Sequence, residues 1–258
     1  MILRIFLKIA VLFLILNSDF LNLNCYNQTE KLILIRDELN SNYYSFDIRK
    51  LKDLLTQSEA LSKSSSAEWY SFYYSGLLCY QLGKIYYLID KETAFNYFDK
   101  SVDWFKQAKS LSNSTEIIIL LSASYGKLSS LSTLSAIYYG IKSKSYIEDA
   151  YKIEPDNPKL LLVGATHLMH TPETFGGSKV KARQFLMKAL ALNKSRKEKD
   201  SMLVKWAEDA EIYAYLGQLE ILLKNKSKAL YFMDKALKLV PDYGFVKKDL
   251  NIQLEKIK

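Results

Sequence analysis

Hydrophobic residues recur every three or four positions along most of the chain, which is the spacing of amphipathic helices. The pattern is clearest in "AEIYAYLGQLEILLKNKSKALYFMDKALKLVPDY", residues 210–243, where two such stretches flank the polar "KNKSK". Glycine and proline number only 9 and 4 in the whole chain. Glycine and proline are common in turns, so their low number argues against a β-sheet protein with many turns. The pattern predicts an all-α fold.

The segment 210–243 also has the length and spacing of a tetratricopeptide (TPR) helix pair. Tyr213 and Glu220 occupy its two aromatic positions, and Glu220 is the one clear departure. Small residues belong where the two helices touch, and a proline ends the second helix because it has no backbone N–H. The other positions of the pattern are filled by Leu216, Gly217, Ala229, Met233, Ala236 and Pro241.

Comparable helix pairs follow one another along the chain. The predicted pairs cover residues 29–63, 67–101, 116–153, 158–192 and 210–240. After them, Val246, Leu250, Leu254 and Ile257 recur at helical spacing among charged residues, as expected of a helix that caps a repeat stack. We therefore predict a TPR-like right-handed superhelix of about five helix hairpins with a C-terminal capping helix.

The turn "HTPETFGGSK" in the fourth pair is longer than the repeat requires. Pro172 is expected to end the first helix and Ser178 to cap the second. Gly176 and Gly177 allow backbone angles with positive φ. Phe175 is expected to pack back between the two helices. No phosphate-loop motif accompanies the glycine pair, so the stretch reads as a structural turn.

The N-terminus has the organisation of an export signal. In "MILRIFLKIAVLFLILNSDF", a basic start is followed by an apolar run and then by polar residues. We expect residues 1–18 to be a signal peptide, with a retained N-terminal anchor as the alternative, and residues 26–258 to form the repeat domain. The expected location is the periplasm or cell envelope. In such a compartment Cys25 and Cys79 could pair, and both this and lipidation stay open.

Charge and motifs argue against several function classes. The net charge is +8, but the lysines are dispersed apart from one run, "NKSRKEKD" at residues 193–200, which is expected to form a solvated face or loop. No nucleic-acid-binding module is present. Peripheral attraction to anionic lipids is compatible with this charge. No nucleophile motif occurs. His167 and His170, with Glu173 nearby, do not complete a metal site. We expect no enzyme activity and no catalytic, cofactor-binding or metal-binding residue.

Several stretches resemble one family. The segment 126–192, with its Asn-Pro before a helix and its "TPETFGG" turn, and "PDYGFV" near the end resemble exported bacterial TPR-like proteins of uncharacterised function. The resemblance implies a helical repeat fold in the cell envelope and no known reaction. A looser likeness, through the Gly-Gly turn, is to the helical T component of tripartite (TRAP) periplasmic transporters, which work beside a solute-binding protein.

The resulting hypothesis is a non-catalytic scaffold that binds a peptide or partner protein in a concave groove. The alternative is an accessory T-type transporter component that contacts a periplasmic solute-binding protein or a hydrophobic ligand. A sealed apolar channel would favour the accessory component, and an open charged groove the scaffold. The candidate groove residues, which leave the packing positions of the repeat, are Tyr70, Tyr74, Lys84, Tyr125 and Tyr215.

Overall fold

The computed structural model describes residues 27–64, 68–197 and 200–257, and these residues form helices joined by turns, with no β-strand among them. The prediction of an all-α fold is confirmed. In chain order the helices are α1 (27–42), α2 (Ile48–Ser62), α3 (Trp69–Tyr86), α4 (Lys91–Leu111), α5 (Thr115–Leu131), α6 (Ala136–Ile153), α7 (Pro158–His170), α8 (Lys179–Asn193), α9 (Asp209–Leu222), α10 (Lys226–Leu239) and the short α11 (Asn251–Glu255).

Within the described residues, the first ten helices pair as five antiparallel hairpins stacked into a TPR-like right-handed superhelix. Helices α3, α5, α7 and α9 are buried around most of their circumference and form the inner layer. Helices α4, α6, α8 and α10 bury only one face and form the outer layer. This division follows from the sequence, because the inner helices are apolar nearly all round and the outer ones are amphipathic.

Small residues let the two layers touch. A Cβ atom on Gly83 would lie only 2.8 Å from the ring of Phe98 in the outer layer, and one on Gly217 would lie 3.0 Å from Met233 Cγ. Because protein interiors are close-packed, neither contact leaves room for an added methyl group. The glycine positions of the repeat pattern are therefore set by helix contact.

Side-chain caps fix the beginnings of most outer helices. An N-cap oxygen accepts a hydrogen bond from a backbone N–H of the first turn, which would otherwise have no partner. Helix α7 begins in the same way, at Asn157 followed by Pro158. The capping residues of the second helices of the hairpins are Asp47 for α2, Asp90 for α4, Ser178 for α8 and Asn225 for α10.

The turn between α7 and α8 contains a single 3-10 turn, Glu173–Phe175. Gly176 uses the freedom of glycine, with a φ of +89°, whereas Gly177 does not adopt positive φ. A Cβ atom on Gly177 would instead lie 1.8 Å from the Thr171 carbonyl oxygen. Glycine is required at 177 because the two backbone segments approach so closely. Ser178 accepts a hydrogen bond from Lys181 N at 3.2 Å, which confirms the predicted cap.

The expectation that Phe175 packs between the two helices is wrong, because its side chain is 75% exposed. Backbone hydrogen bonds draw the turn tightly against the end of α7. Gly177 N donates to Pro172 O at 3.1 Å, and Ser178 N donates to Leu168 O at 2.9 Å. This tight closure leaves no space for a ring between the helices, and Phe175 points into solvent.

The connection between α8 and α9 turns inward. The polar run at its start was expected to form a solvated loop, and residues 198–199 lie outside the described residues. Its second half is buried instead: Val204 is 0% exposed and Trp206 is 3% exposed. Tyr74 donates from its hydroxyl to Met202 O at 2.6 Å, so the segment is held against α3. It fills part of the concave side.

The two ends of the superhelix meet. Gly244 N donates to Tyr44 O at 2.9 Å, which joins the C-terminal segment to the turn between α1 and α2. The rings of Tyr44 and Tyr243 pack edge to face with centroids 4.8 Å apart. A Cβ atom on Gly244 would lie 2.4 Å from Phe46 Cγ. The C-terminal segment therefore packs against the turn of the first hairpin.

The capping segment is helical, as predicted, but begins with a π-helical turn, Val246–Leu250, before α11. Its apolar positions Val246, Leu250 and Leu254 are buried. The predicted signal peptide or anchor at residues 1–18 and Cys25 lie outside the described residues. None of the helices in the described ranges is both long enough and apolar enough to span a bilayer.

Candidate functional site: the concave groove

The inner helices α3, α5, α7 and α9, together with α6, enclose a cavity of about 360 Å³ on the concave side of the superhelix. We call this cavity the groove. The side chains that matter for its chemistry belong to α3, α5, α7 and α9 and to the first residue after α3. They are Tyr80, Tyr87, Lys127, His167, His170 and Tyr215.

Most hydroxyl groups of the groove are already engaged. Ser122 Oγ donates to Ser143 O, and Ser143 Oγ donates to Ser122 O, each at 2.9 Å. Thr166 and Thr171 bond to backbone carbonyls of their own helix at 2.8 Å. What the groove offers to a ligand is therefore the Lys127 ammonium, the two imidazoles and the tyrosine rings with their hydroxyl groups. No carboxylate is among the described residues that line it.

Lys127 is the central cation of the groove. Its Nζ lies 5.6 Å from the centre of the Tyr87 ring. Burial, joined by the nearby charges of Lys84 and Lys91, lowers the pKa of Lys127 to about 8 against the opposing effect of Asp249. Because burial disfavours its charged form, the Lys127 ammonium is stabilised by any anion that enters the groove.

The two histidines are uncharged at neutral pH. Burial and the charge of Lys127 lower the pKa of His170 to about 4, while the side chain of Gln218 opposes the shift. Burial and Lys144 also lower the pKa of His167. Neutral imidazoles can accept or donate one hydrogen bond each. The groove therefore combines one cation with several neutral polar groups.

Two of the predicted site residues lie at the groove. Tyr215 lines it from α9 and is 6% exposed. Lys84 lies next to it: its side chain is buried, its Nζ is 3.6 Å from Glu211 Oε1, and its charge acts on Lys127. Its Nζ also lies 5.9 Å from the centre of the Tyr80 ring. Lys84 does not line the groove, but its charge contributes to the electrostatic potential there.

The other three predicted residues make contacts within the protein. Tyr70 donates to Asp200 Oδ2 at 2.7 Å. Tyr74 is fully buried and bonds to the inward-turning connection after α8. Tyr125 is 5% exposed and stacks on Tyr146, with ring centroids 5.8 Å apart. None of these three side chains lines the groove.

Sequence reasoning missed Lys127 although a signal was present. Lys127 follows Gly126 as Lys84 follows Gly83, so both lysines occupy the same position of the repeat. The glycine faces the outer helix, and the next residue lies about 100° further round the inner helix. Gln218, after Gly217, is the corresponding residue of α9.

A second, larger cavity of about 620 Å³ lies near the beginnings of α5 and α7. Its buried charges are Glu116 and Lys159, which pair with each other at 3.0 Å. These groups serve the fold, and the groove is the better candidate for ligand binding. Among the described residues, no three His, Cys, Asp or Glu side chains come together as a metal-binding group.

Comparison with known proteins bears on the fold alone. The HusA haemophore from Porphyromonas gingivalis superposes with a TM-score of 0.59 at 19% identity, covering 74% of this chain and 89% of that one. A thermophilic TPR protein, TTC0263 from Thermus thermophilus, gives a TM-score of 0.55 at 17% identity, covering 86% and 98%. The likeness is one of architecture. No protein-family model and no curated protein sequence matches the chain.

Proposed function

We propose that this protein is a non-catalytic interaction scaffold of the bacterial cell envelope and that the groove binds an acidic segment of a partner protein. The observation that carries the proposal is Lys127, a cation in a groove whose described lining residues include no carboxylate. The TPR-like architecture supports it, because helical repeat stacks present extended concave binding surfaces. The predicted export signal supports the envelope location.

The chemistry of the groove matches a carboxylate side chain or a chain terminus. Lys127 supplies the charge, and neutral His167 and His170 supply hydrogen bonds. The tyrosine rings at positions 80, 87 and 215 add apolar area that still tolerates polar groups. An acidic segment with an adjacent apolar residue fits this combination.

The proposal is tested with an array of short peptides that differ only in carrying Asp or Glu, or Asn or Gln, at matched positions. The protein should bind the acidic peptides, and Lys127→Gln should weaken their binding by roughly thirtyfold or more, because losing one partner of a buried charge pair costs about 2 kcal/mol or more. Lys235→Gln, which removes the same charge from the outer helix α10, is the matched control and should bind normally. Equal binding of acidic and amide peptides would contradict the proposal.

The accessory transporter component is the alternative that the sequence raises. It calls for an apolar channel, whereas the groove is lined by lysine, histidine and hydroxyl side chains. This polar lining supports the scaffold. Crosslinking from a photoreactive residue at Thr166, in the groove, distinguishes the two. Capture of a single solute-binding protein would favour the transporter component.

A tetrapyrrole ligand is a second candidate, for one reason in the groove itself. Neutral imidazoles are iron ligands, and His167 and His170 stand beside three tyrosines that can pack against a flat ring. The architectural likeness to a haemophore suggests the probe. Titration with haemin should then shift its absorption band, and His170→Ala should abolish the shift. An unchanged spectrum would exclude this candidate.

A further inference from the structure

The two edges of the superhelix differ in the exposure of apolar side chains. Because successive helices are antiparallel, the turns after the inner helices α3, α5, α7 and α9 emerge at one edge. These turns are residues 87–90, 132–135, 171–178 and 223–225, and together with the first turn of the outer helix that follows each they form what we call the turn edge. The turns on the other side form the opposite edge.

The most exposed large apolar side chains of the described residues all lie on the turn edge. Leu134 is 99% exposed, Phe175 75%, Ile137 74% and Val180 70%. They come from two neighbouring hairpins, and Leu88 and Ile89 continue the row on the hairpin before. Apolar side chains that share one edge can be buried together against a single surface, and that burial is favourable.

The connections of the opposite edge are different. In the described parts of 112–114, 154–157, 194–208 and 240–245, no large apolar side chain is exposed. The exposed apolar residues nearest to that edge are single residues at the ends of outer helices. They are Leu111, Ile153 and Leu239, each between 54% and 57% exposed. They provide a matched control set for the turn edge.

Lysines surround the apolar side chains of the turn edge. Lys179 and Lys181 flank Val180, and Lys91 lies two residues after Ile89. The turn after α9 adds three more, in "KNKSK", residues 224–228. Against these six lysines, the same turns and helix starts carry three carboxylates, Asp90, Glu92 and Glu173. The edge is therefore both apolar and basic.

We propose that the turn edge docks onto an anionic lipid bilayer. The apolar side chains enter the headgroup region, and the lysines contact lipid phosphates. A bilayer is favoured over a partner protein because the apolar groups project singly from separate turn tips. A fluid interface accepts such tips without shape complementarity, and anionic headgroups attract the surrounding lysines.

The proposal is independent of the groove ligand, although the two surfaces adjoin. Tyr87, Ser130 and Thr171 line the groove and lie at the ends of α3, α5 and α7. The groove therefore reaches the turn edge. A docked molecule would hold the mouth of the groove close to the membrane surface.

The test places an environment-sensitive fluorophore at single cysteines in the full chain. The background carries Cys25→Ser. Cys79 is buried, and burial raises the pKa of its thiol to about 12, so it does not compete for the label. The turn-edge positions are Leu134→Cys and Phe175→Cys, and the matched positions of the opposite edge are Leu111→Cys and Ile153→Cys. Every variant retains the N-terminal segment, so differences between labels report the docking edge.

With vesicles of phosphatidylcholine and phosphatidylglycerol, the labels at 134 and 175 should shift to shorter wavelength, and the labels at 111 and 153 should not. Pure phosphatidylcholine should give a weaker shift. Replacing Lys181 and Lys228 with Gln should raise the lipid concentration needed for half of the shift by roughly fivefold for each lysine.

Three outcomes would overturn the proposal. The turn-edge labels could show no shift with phosphatidylglycerol vesicles, or all four labels could shift equally. The turn-edge labels could also shift with protein concentration in the absence of lipid, which would identify a second copy of the chain as the occupant. Light scattering of each labelled protein separates this last outcome from lipid binding.

Discussion

Lys159 Nζ lies 3.0 Å from Glu116 Oε2, and the two side chains are only 2% and 3% exposed. The other carboxylate oxygen accepts hydrogen bonds from Trp206 Nε1 at 2.5 Å and from the Tyr73 hydroxyl at 3.1 Å. Val204 N in turn donates to the Tyr73 hydroxyl at 3.2 Å. One buried carboxylate therefore ties α3, α5 and α7 to the inward-turning connection after α8.

Glu116→Gln tests this buried pair. The change preserves the shape of the side chain but leaves the Lys159 ammonium without its countercharge. We expect the free energy of unfolding to fall by about 3–5 kcal/mol, measured by urea denaturation. The double variant Glu116→Gln and Lys159→Met should be more stable than the single variant, since it removes the unpaired charge. Additive losses in the double variant would contradict a direct coupling.

Arg183 and Glu220 form a second pair between neighbouring hairpins. Glu220 is 1% exposed, and Arg183 reaches it from α8 with a side chain that is 35% exposed. Arg183→Ala should destabilise the protein by about 2–4 kcal/mol, because it leaves a buried carboxylate unpaired. Arg183→Ala combined with Glu220→Leu should recover most of the loss. If Arg183→Ala alone costs no more than a typical surface substitution, the pair does not stabilise the stack.

This pair also explains a departure from the repeat pattern. The pattern expects an aromatic residue at position 220, and the sequence alone offered no reason for a glutamate there. The helices themselves were predictable, because hydrophobic spacing and caps such as Ser178 are local. Arg183 is too distant in sequence for its contact with Glu220 to appear in such a pattern.

Long-range contacts account for the other features that the sequence did not reveal. Tyr74 was predicted to face a partner, but it bonds to Met202, and Trp206 reaches Glu116. Both contacts depend on the inward path of a connection that reads as polar and solvated. The groove was only partly predictable for the same reason. Tyr215 was identified by its repeat position, whereas Lys127 becomes notable only once the inner helices converge.

The glycine pair after Phe175 should respond unequally to substitution. Gly177→Ala should destabilise the protein strongly, because the added methyl group would meet the Thr171 carbonyl oxygen at 1.8 Å. Gly176→Ala should cost only about 1–2 kcal/mol, the strain of a positive φ angle, since nothing lies within 4 Å of its Cβ position. Thermal unfolding of both variants measures the difference. Equal losses would show that backbone angle, not close approach, governs both positions.

Binding of acidic peptides should depend on pH through Lys127. Its pKa of about 8 in the empty groove means that it is protonated below that pH and loses its charge above it. A bound carboxylate favours the protonated form, so affinity should fall as pH rises from 7 through 8 to 9. Fluorescence anisotropy against pH measures this. Lys127→Arg, which keeps its charge, should remove the fall between these values, and a fall that persists in this variant would implicate another group.

Buried tyrosines should make the protein sensitive to alkali. Burial raises the pKa of Tyr43, Tyr73, Tyr215 and Tyr243 well above the usual 10. The unfolded chain releases these protons near pH 10 and the folded protein retains them, so this contribution to stability is present below pH 10 and is lost above it. Above pH 10, each such tyrosine should lower the free energy of unfolding by up to about 1.4 kcal/mol for every pH unit. Lys127, whose pKa is lowered, acts in the opposite direction between pH 8 and 10.5.

Tyr243→Phe isolates one of these groups. The Tyr243 hydroxyl is buried and has no hydrogen-bond partner among the described residues, so its removal should leave stability at pH 7 unchanged or slightly higher. Above pH 10 the variant should unfold at higher urea concentration than the parent protein, because one ionisation of the unfolded chain is gone. Tyr138→Phe, at a position that is 56% exposed, is the control and should follow the parent protein. If Tyr243→Phe also follows the parent at high pH, the alkaline loss of stability has another origin.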